Sequence, residues 1–209
     1  SNDLVLIDAG CEYAGYASDI TRTFPAGGRF SGAQRALYEL VLASQEAAVA
    51  ATKAGARFNA PHDATVAVLA QGLLDLGLLD KNQHGSAQDV IERRAYFRFY
   101  MHRTGHWLGM DVHDCGSYVE PGEVGQAHER KDPLSGETIT DRPSRILRPG
   151  MALTIEPGLY VRPSDKIPKE FWNIGIRIED DAFVTETGCE LITRDVPVKA
   201  EEIEALMRG

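Results

Sequence analysis

The sequence predicts one α+β domain, ordered as strands, then helices, then strands, and not a wound parallel sheet. Apolar or β-branched runs occupy 3–9 and 19–24 and do not return until 151. The long segments with helical spacing, from Ser31 to about Lys53 and from Pro61 to Leu76, lie between them. The 209 residues, 43% hydrophobic and 25% charged, suit a single domain, 1–209, with a sizeable core.

Residues 3–9 are apolar up to a carboxylate, Asp8, and 10–15 have turn chemistry. Asp19-Ile-Thr-Arg-Thr-Phe then reads as a second strand, so the two predict a hairpin that Pro25, Gly27 and Gly28 end. Ser31 with Gln34 three places on is a capping box for the first helix, which Gly55 closes. Asn59 is placed to cap the second helix, and a shorter third covers 87–94. Residues 101–116 are rich in His, Gly and Asp without periodicity, and 120–144 read as a long, charged surface excursion. Further strands are expected at 151–156, 173–181, 182–187 and 190–193, with a closing helix at 200–207. No internal repeat is evident at solenoid periods.

The formal charge of -9 argues against a nucleic-acid partner, and no apolar run is long enough to span a bilayer. Cys11, Cys115 and Cys189 are odd in number and form no CxxC pair. Neither a disulfide framework nor a thiolate zinc site is suggested, and the reducing cytoplasm is the expected location. A strand that begins at Leu4, with Ser1-Asn2 as a cut point, suggests a piece of a longer protein with no signal-peptide pattern at its start.

The chemistry lies in carboxylates at strand ends and in one histidine cluster. Asp8 and Asp19 each sit where strand meets turn, and Glu156 ends an apolar strand before Pro157-Gly158. Glu179 shares a strand face with Arg177. An unpaired buried carboxylate costs roughly several kcal/mol, so each needs a partner; turn capping or simple salt bridges would supply one as well as a cation would. His102, His106 and His113, half of the six histidines, crowd into a stretch where glycines let the backbone approach a ligand. Oxygen and imidazole donors without thiolates favour manganese, magnesium, cobalt or zinc. Bridging carboxylates could hold two divalent ions roughly 3.5–4 Å apart.

Five ordered motifs then carry a resemblance. Leu6-Ile-Asp-Ala-Gly, Ser18-Asp-Ile-Thr-Arg-Thr-Phe-Pro and His106-Trp-Leu-Gly-Met-Asp-Val-His-Asp resemble the pita-bread metallopeptidases. So do Pro149-Gly-Met-Ala-Leu-Thr-Ile-Glu-Pro-Gly-Leu-Tyr and Gly175-Ile-Arg-Ile-Glu-Asp-Asp. The similarity covers nearly the whole chain and is closest to the bacterial aminopeptidase P branch. It implies a pita-bread (creatinase/aminopeptidase) fold, incomplete at its N-terminal end.

The resemblance further implies a pair of divalent ions, usually manganese, with cobalt, zinc or magnesium as alternatives. Asp8 would chelate one ion, Asp19 and Glu179 would bridge both, and His106 and Glu156 would complete the second. A water shared by the ions would lose a proton to Glu156, and the hydroxide so formed would release the first residue from peptides with proline in second position. His102 and His113 match flanking histidines that contact substrate and stabilise the reacting carbonyl, and Arg177 matches an arginine that supports the site. Trp107, beside the metal histidine, marks the aminopeptidase P branch and is expected at the substrate. The partner is thus a peptide with penultimate proline, and the longer protein has room to form a homo-oligomer.

This chain departs from the family at two places. The family carries a further histidine upstream of the first metal Asp, and neither His62 nor His84 matches it. The 120–144 excursion exceeds the usual connection and reads as an insertion. The isolated chain is therefore expected to be weak or inactive as an enzyme. The nearest rival is an Xaa-Pro dipeptidase with the same ligands; methionine aminopeptidase is further off. A non-catalytic module on the same fold typically loses ligands, and here all five are present.

Overall fold

In the computed structural model, which describes residues 2–208, the chain opens with β1 (Leu4–Ala9), β2 (Glu12–Tyr13), β3 (Tyr16–Ala17) and β4 (Ile20–Pro25). Ser1, read above as part of a cut point, lies outside those residues. β1 and β4 pair antiparallel from Leu4↔Pro25 to Ala9↔Ile20, the hairpin that the sequence predicts, with β2 and β3 forming its tip. Gly10 makes that tip possible: a Cβ there would stand 1.8 Å from the Ser18 carbonyl oxygen.

Two long helices follow, α1 (Gly32–Ala51) and α2 (Ala60–Asp75), then the short α3 (Lys81–His84) and α4 (Ala87–Glu92). The capping box is formed in full, Gln34 N–H donating to Ser31 Oγ and Ser31 N–H to Gln34 Oε1. Asn59 corrects the sequence reading: it occupies the N-cap position of α2 but caps nothing, because its Oδ1 accepts from the Arg103 guanidinium. α1 buries Leu37, Tyr38, Val41 and Leu42 against Val66, Leu69 and Leu73 of α2, the stripe expected of amphipathic neighbours.

The remainder comprises β5 (His128–Lys131), β6 (Thr138–Asp141), β7 (Ala152–Ile155), β8 (Gly158–Val161), β9 (Ile174–Arg177), β10 (Asp180–Val184), β11 (Cys189–Leu191) and α5 (Ala200–Arg208). β5 and β6 form a hairpin inside the 120–144 excursion, and no residue of 120–144 belongs to either apolar cluster of the core. Three arginine–carboxylate pairs hold the excursion down: Arg57–Glu123 at 2.8 Å, Arg148–Glu120 at 2.7 Å, and Arg94–Asp132.

The expected strand 173–181 is two strands. β9 pairs with β8, while β10 pairs with β7 and β11, so the chain changes sheets at Ile178 and Glu179. Glu179 leaves both ladders there and bridges to Thr21 of β4, its N–H donating to the Thr21 carbonyl at 3.1 Å. That crossover brings the metal-candidate strands together. One core cluster spans α1, α2, β8 and β9, and a smaller one gathers Phe58, Trp107, Leu147, Leu153, Ile155 and Val184.

Beneath the crossover lies Asp180, fully buried. Its carboxylate accepts from Arg22 Nη2 at 2.8 Å, Thr193 Oγ1 at 2.8 Å and Gln45 Nε2 at 3.1 Å, with Arg194 Nη2 also at 3.1 Å. Removing one member of such a network leaves buried charge uncompensated. Asp180→Ala is therefore expected to cost about 3–5 kcal/mol, read as a lower urea midpoint at unchanged slope. An unshifted midpoint would mean that the network carries no net stability. No helix among the described residues is long and apolar enough to cross a membrane.

Candidate metal centre

Each candidate side chain is placed by a local device. Asp8 lies opposite Thr21 in the β1–β4 ladder, and Asp19 sits just before β4, its N–H donating to the Asp181 carboxylate at 3.1 Å. Residues 104–108 run alongside β7, with Leu108 N–H on Ala152 O, Thr154 N–H on His106 O and Glu156 N–H on Thr104 O. That pairing sets His106 beside Glu156. Gly105 permits the approach, since a Cβ would stand 2.0 Å from the Thr154 carbonyl oxygen.

The five residues converge. Ligand atoms of Asp19, His106 and Glu179 lie within 4.8 Å of one another. His106 Nε2 is 3.4 Å from Asp19 Oδ2 and 3.8 Å from Glu156 Oε1. Asp8 adjoins Asp19 and is held from behind by Arg177 Nη2 at 2.5 Å. The Thr21 hydroxyl donates to Glu179 Oε2 at 2.5 Å and accepts from Arg177 Nε at 3.1 Å, so one threonine ties arginine to glutamate.

The donor set fits a cation on its own geometry. His106 Nδ1–H donates to the Trp107 carbonyl at 3.0 Å, which leaves a lone pair on Nε2 facing carboxylate oxygens. Lone pairs directed at one another repel unless a proton or a metal lies between them, and a backbone carbonyl on the far nitrogen is the usual support of a ligating histidine. The carboxyls register the crowding. Burial, then neighbouring carboxylates, push Glu179 up to about 8. Burial pushes Glu156 to about 7, against the pull of Arg177, with Asp19 and Asp8 adding to the rise. Asp19 is raised by burial and then by Asp8, and Asp181 by burial to about 6. Oxygen and imidazole donors that must shed protons to act match divalent, oxygen-preferring metals.

The flanking histidines differ. His102 Nδ1–H donates to the Arg103 carbonyl at 2.7 Å and its Nε2 lies 2.9 Å from the Tyr160 hydroxyl, which in turn accepts from Arg177 Nη1 at 3.2 Å. Tyr160 therefore donates to a neutral His102, and burial lowers the pKa of that imidazole in agreement. His113 is exposed, packs edge-on to His106 at 4.2 Å, and has no side-chain hydrogen bond among the described residues. Both histidines, with His106 and Glu156, line a cavity of about 510 Å3.

Trp107 does not reach that cavity. It is 9% exposed, packed between Phe58 at 4.5 Å and Tyr118 at 5.7 Å, and those two rings form the wall instead. Its contribution to the site is its backbone carbonyl on His106. Tyr160 and Thr21 were not singled out by sequence reasoning. Tyr160 ends the Pro157-Gly-Leu-Tyr motif and could have been found there; Thr21, one of two threonines in an ordinary strand, carries no such signal.

Against known proteins, residues 1–186 match the model of metallopeptidase family M24. The chain is 47% identical over 205 residues to the Xaa-Pro aminopeptidase of Escherichia coli (strain K12), covering 98% of this chain and 41% of that protein. It is 44% identical to the Xaa-Pro aminopeptidase of Haemophilus influenzae, covering 98% and 42%. The structure of aminopeptidase PepP from Pseudomonas aeruginosa superposes with a TM-score of 0.86 at 49% identity, covering 99% of this chain and 42% of the other. The chain thus spans about two-fifths of the length of these relatives.

Proposed function

This chain belongs to metallopeptidase family M24 and carries a part of its pita-bread fold, and on that premise we propose that its full-length protein is an Xaa-Pro aminopeptidase with two divalent ions, manganese in the first instance. The observation that carries the proposal is the lone pair of His106 Nε2 turned onto Asp19 and Glu156, with Glu179 and Asp8 alongside.

Asp8 would hold one ion, Asp19 and Glu179 both, and His106 with Glu156 the second. Bound there, divalent ions would supply water activation, lowering the pKa of water toward neutrality. The protein's own groups do the remainder. Glu156 stands at the cavity wall and takes the proton of the attacking water. His113, with both ring nitrogens uncommitted, donates to the carbonyl oxygen as charge develops there. His102, kept neutral by burial and oriented by Tyr160 and the Arg103 carbonyl, faces the same cavity and positions the peptide. Arg177 fixes Asp8 directly and Glu179 through Thr21. The acidic cluster gives the free amino terminus a fixed point, which an exopeptidase requires.

A peptide-length series with the full-length, metal-loaded protein tests the proposal. Xaa-Pro-Xaa tripeptides and longer chains are expected to lose their first residue, while free Xaa-Pro dipeptides are spared. Cleavage confined to dipeptides would make the protein a dipeptidase. Failure to retain metal or cleave any peptide would make it a non-catalytic module.

A further inference from the structure

Beside the catalytic cavity opens a second one of about 880 Å3. The two share Asn59, His102 and Arg103, so an extended chain in the first continues into the second. Its outer wall is the 120–144 excursion, through His128, Arg130, Ile139, Asp141 and Arg142, none of which serves the metal centre.

Most charges in this groove are already matched. Arg57 pairs with Glu123, Arg94 with Asp132 and Arg130 with Asp141. Of the other carboxyls on the wall, Glu92 accepts from the Gln88 amide at 2.9 Å, and burial raises the pKa of Asp63. Arg103 and Arg142 form no salt bridge among the described residues; Arg103 donates to the neutral Asn59 amide and acts on the Asp63 carboxyl only from beyond salt-bridge distance. Two guanidiniums without a salt bridge, in a chain of net charge -9, face the path by which a bound peptide must leave.

The opposite side of the centre has reversed polarity. A cavity of about 580 Å3 there is lined by Asp8, Glu12, Asp19 and Asp111 with no lysine or arginine. A peptide whose amine lies toward the acidic side presents its downstream end to the arginines. The guanidinium fork matches a carboxylate in two parallel hydrogen bonds.

We propose that the groove under the 120–144 hairpin is an extended substrate site, in which Arg103 and Arg142 bind a carboxylate of the peptide downstream of the cut. This rests on the peptidase reading above. The carboxylate is either the chain's C-terminus or an acidic side chain.

Four peptides assayed with the full-length, metal-loaded protein decide it: Ala-Pro-Gly-Gly as free acid, the same as amide, and the amides of Ala-Pro-Gly-Asp and Ala-Pro-Gly-Lys. We expect kcat/KM about tenfold higher for a carboxylate-bearing peptide than for the lysine amide, shrinking as salt is raised. A gain confined to the free acid assigns the terminus; a gain confined to the aspartate amide assigns the side chain. Arg142→Gln and Arg103→Gln should each bring the ratio below about threefold. Arg93→Gln, which removes an exposed arginine outside the groove, should leave it intact. Ratios within twofold for the unaltered protein, or a preference that survives both groove substitutions, overturn the assignment. Cleavage of the neutral amide stands apart as the check on the peptidase reading, and its absence removes both proposals.

Discussion

Glu179→Ala in the full-length protein is expected to abolish metal retention and peptide turnover together, each by at least a factor on the order of a thousand. Glu179 is 1% exposed and sits outside both flanking ladders, so its substitution leaves their backbone pairing intact. Its carboxylate is instead aimed by the Thr21 hydroxyl, with Arg177 behind, at the space shared with Asp19 and His106. Loss of a residue proposed to touch both ions removes the bridge as well as one ligand. Asp19→Ala should behave alike. The fold should survive, because deleting Glu179 removes a carboxyl whose charged form burial, and then the neighbouring carboxylates, disfavour. Metal content by elemental analysis, peptide hydrolysis and a thermal melt on one preparation separate ligand loss from unfolding. Two metals retained with full activity in Glu179→Ala would remove the proposed bridge.

Stripped of metal by a chelator, the protein is expected to lose about 2 kcal/mol of stability between pH 6.5 and 8. Glu179 titrates near 8 in the fold against an ordinary 4.5, and Glu156 near 7. Within the interval between its two pKa values the folded state holds a proton that the unfolded state has released, so stability falls as pH rises. Below 6.5 a buried histidine opposes this trend. Burial lowers His62 to about 3, so there the unfolded state binds the extra proton and stability rises with pH. Above 6.5 that histidine gives up its remaining protons in the unfolded state, so its opposition fades and the glutamates dominate, over about 1.5 pH units at about 1.4 kcal/mol per pH unit. Saturating metal should abolish or reverse the slope, since ligation demands deprotonated carboxylates. Urea midpoints across the window, with and without chelator, measure it. A level profile in the chelated protein would contradict the crowding.

Much of this was legible in the residues. The opening hairpin could be read because two apolar runs end in carboxylates and flank a glycine turn, and α1 because Ser31 and Gln34 spell out its cap. The ligand candidates stood out as carboxylates at strand ends, although only coordinates bring them within reach of each other. What could not be read depended on distant partners. Residues 173–181 alternate as one strand, and the change of sheet after Arg177 arises from competition between β8 and β7, far off in sequence. Asn59 has cap chemistry, but Arg103, more than forty residues on, claims its oxygen. Trp107 sits next to a candidate ligand in sequence, yet Phe58 and Tyr118 draw its ring into the interior. The β5–β6 hairpin carries little sequence signal because β5 is polar on both faces and β6 has one apolar residue, Ile139.

That polar hairpin is moored by arginine clasps at its margins and adds nothing to either apolar cluster. An appendage fastened in this way can be lengthened, trimmed or exchanged between descendants without reopening the interior. Glu179 and its neighbours enjoy no such liberty, locked as they are over the buried Asp180 network. Selection can therefore revise the rim of this protein at little cost while its centre stays fixed.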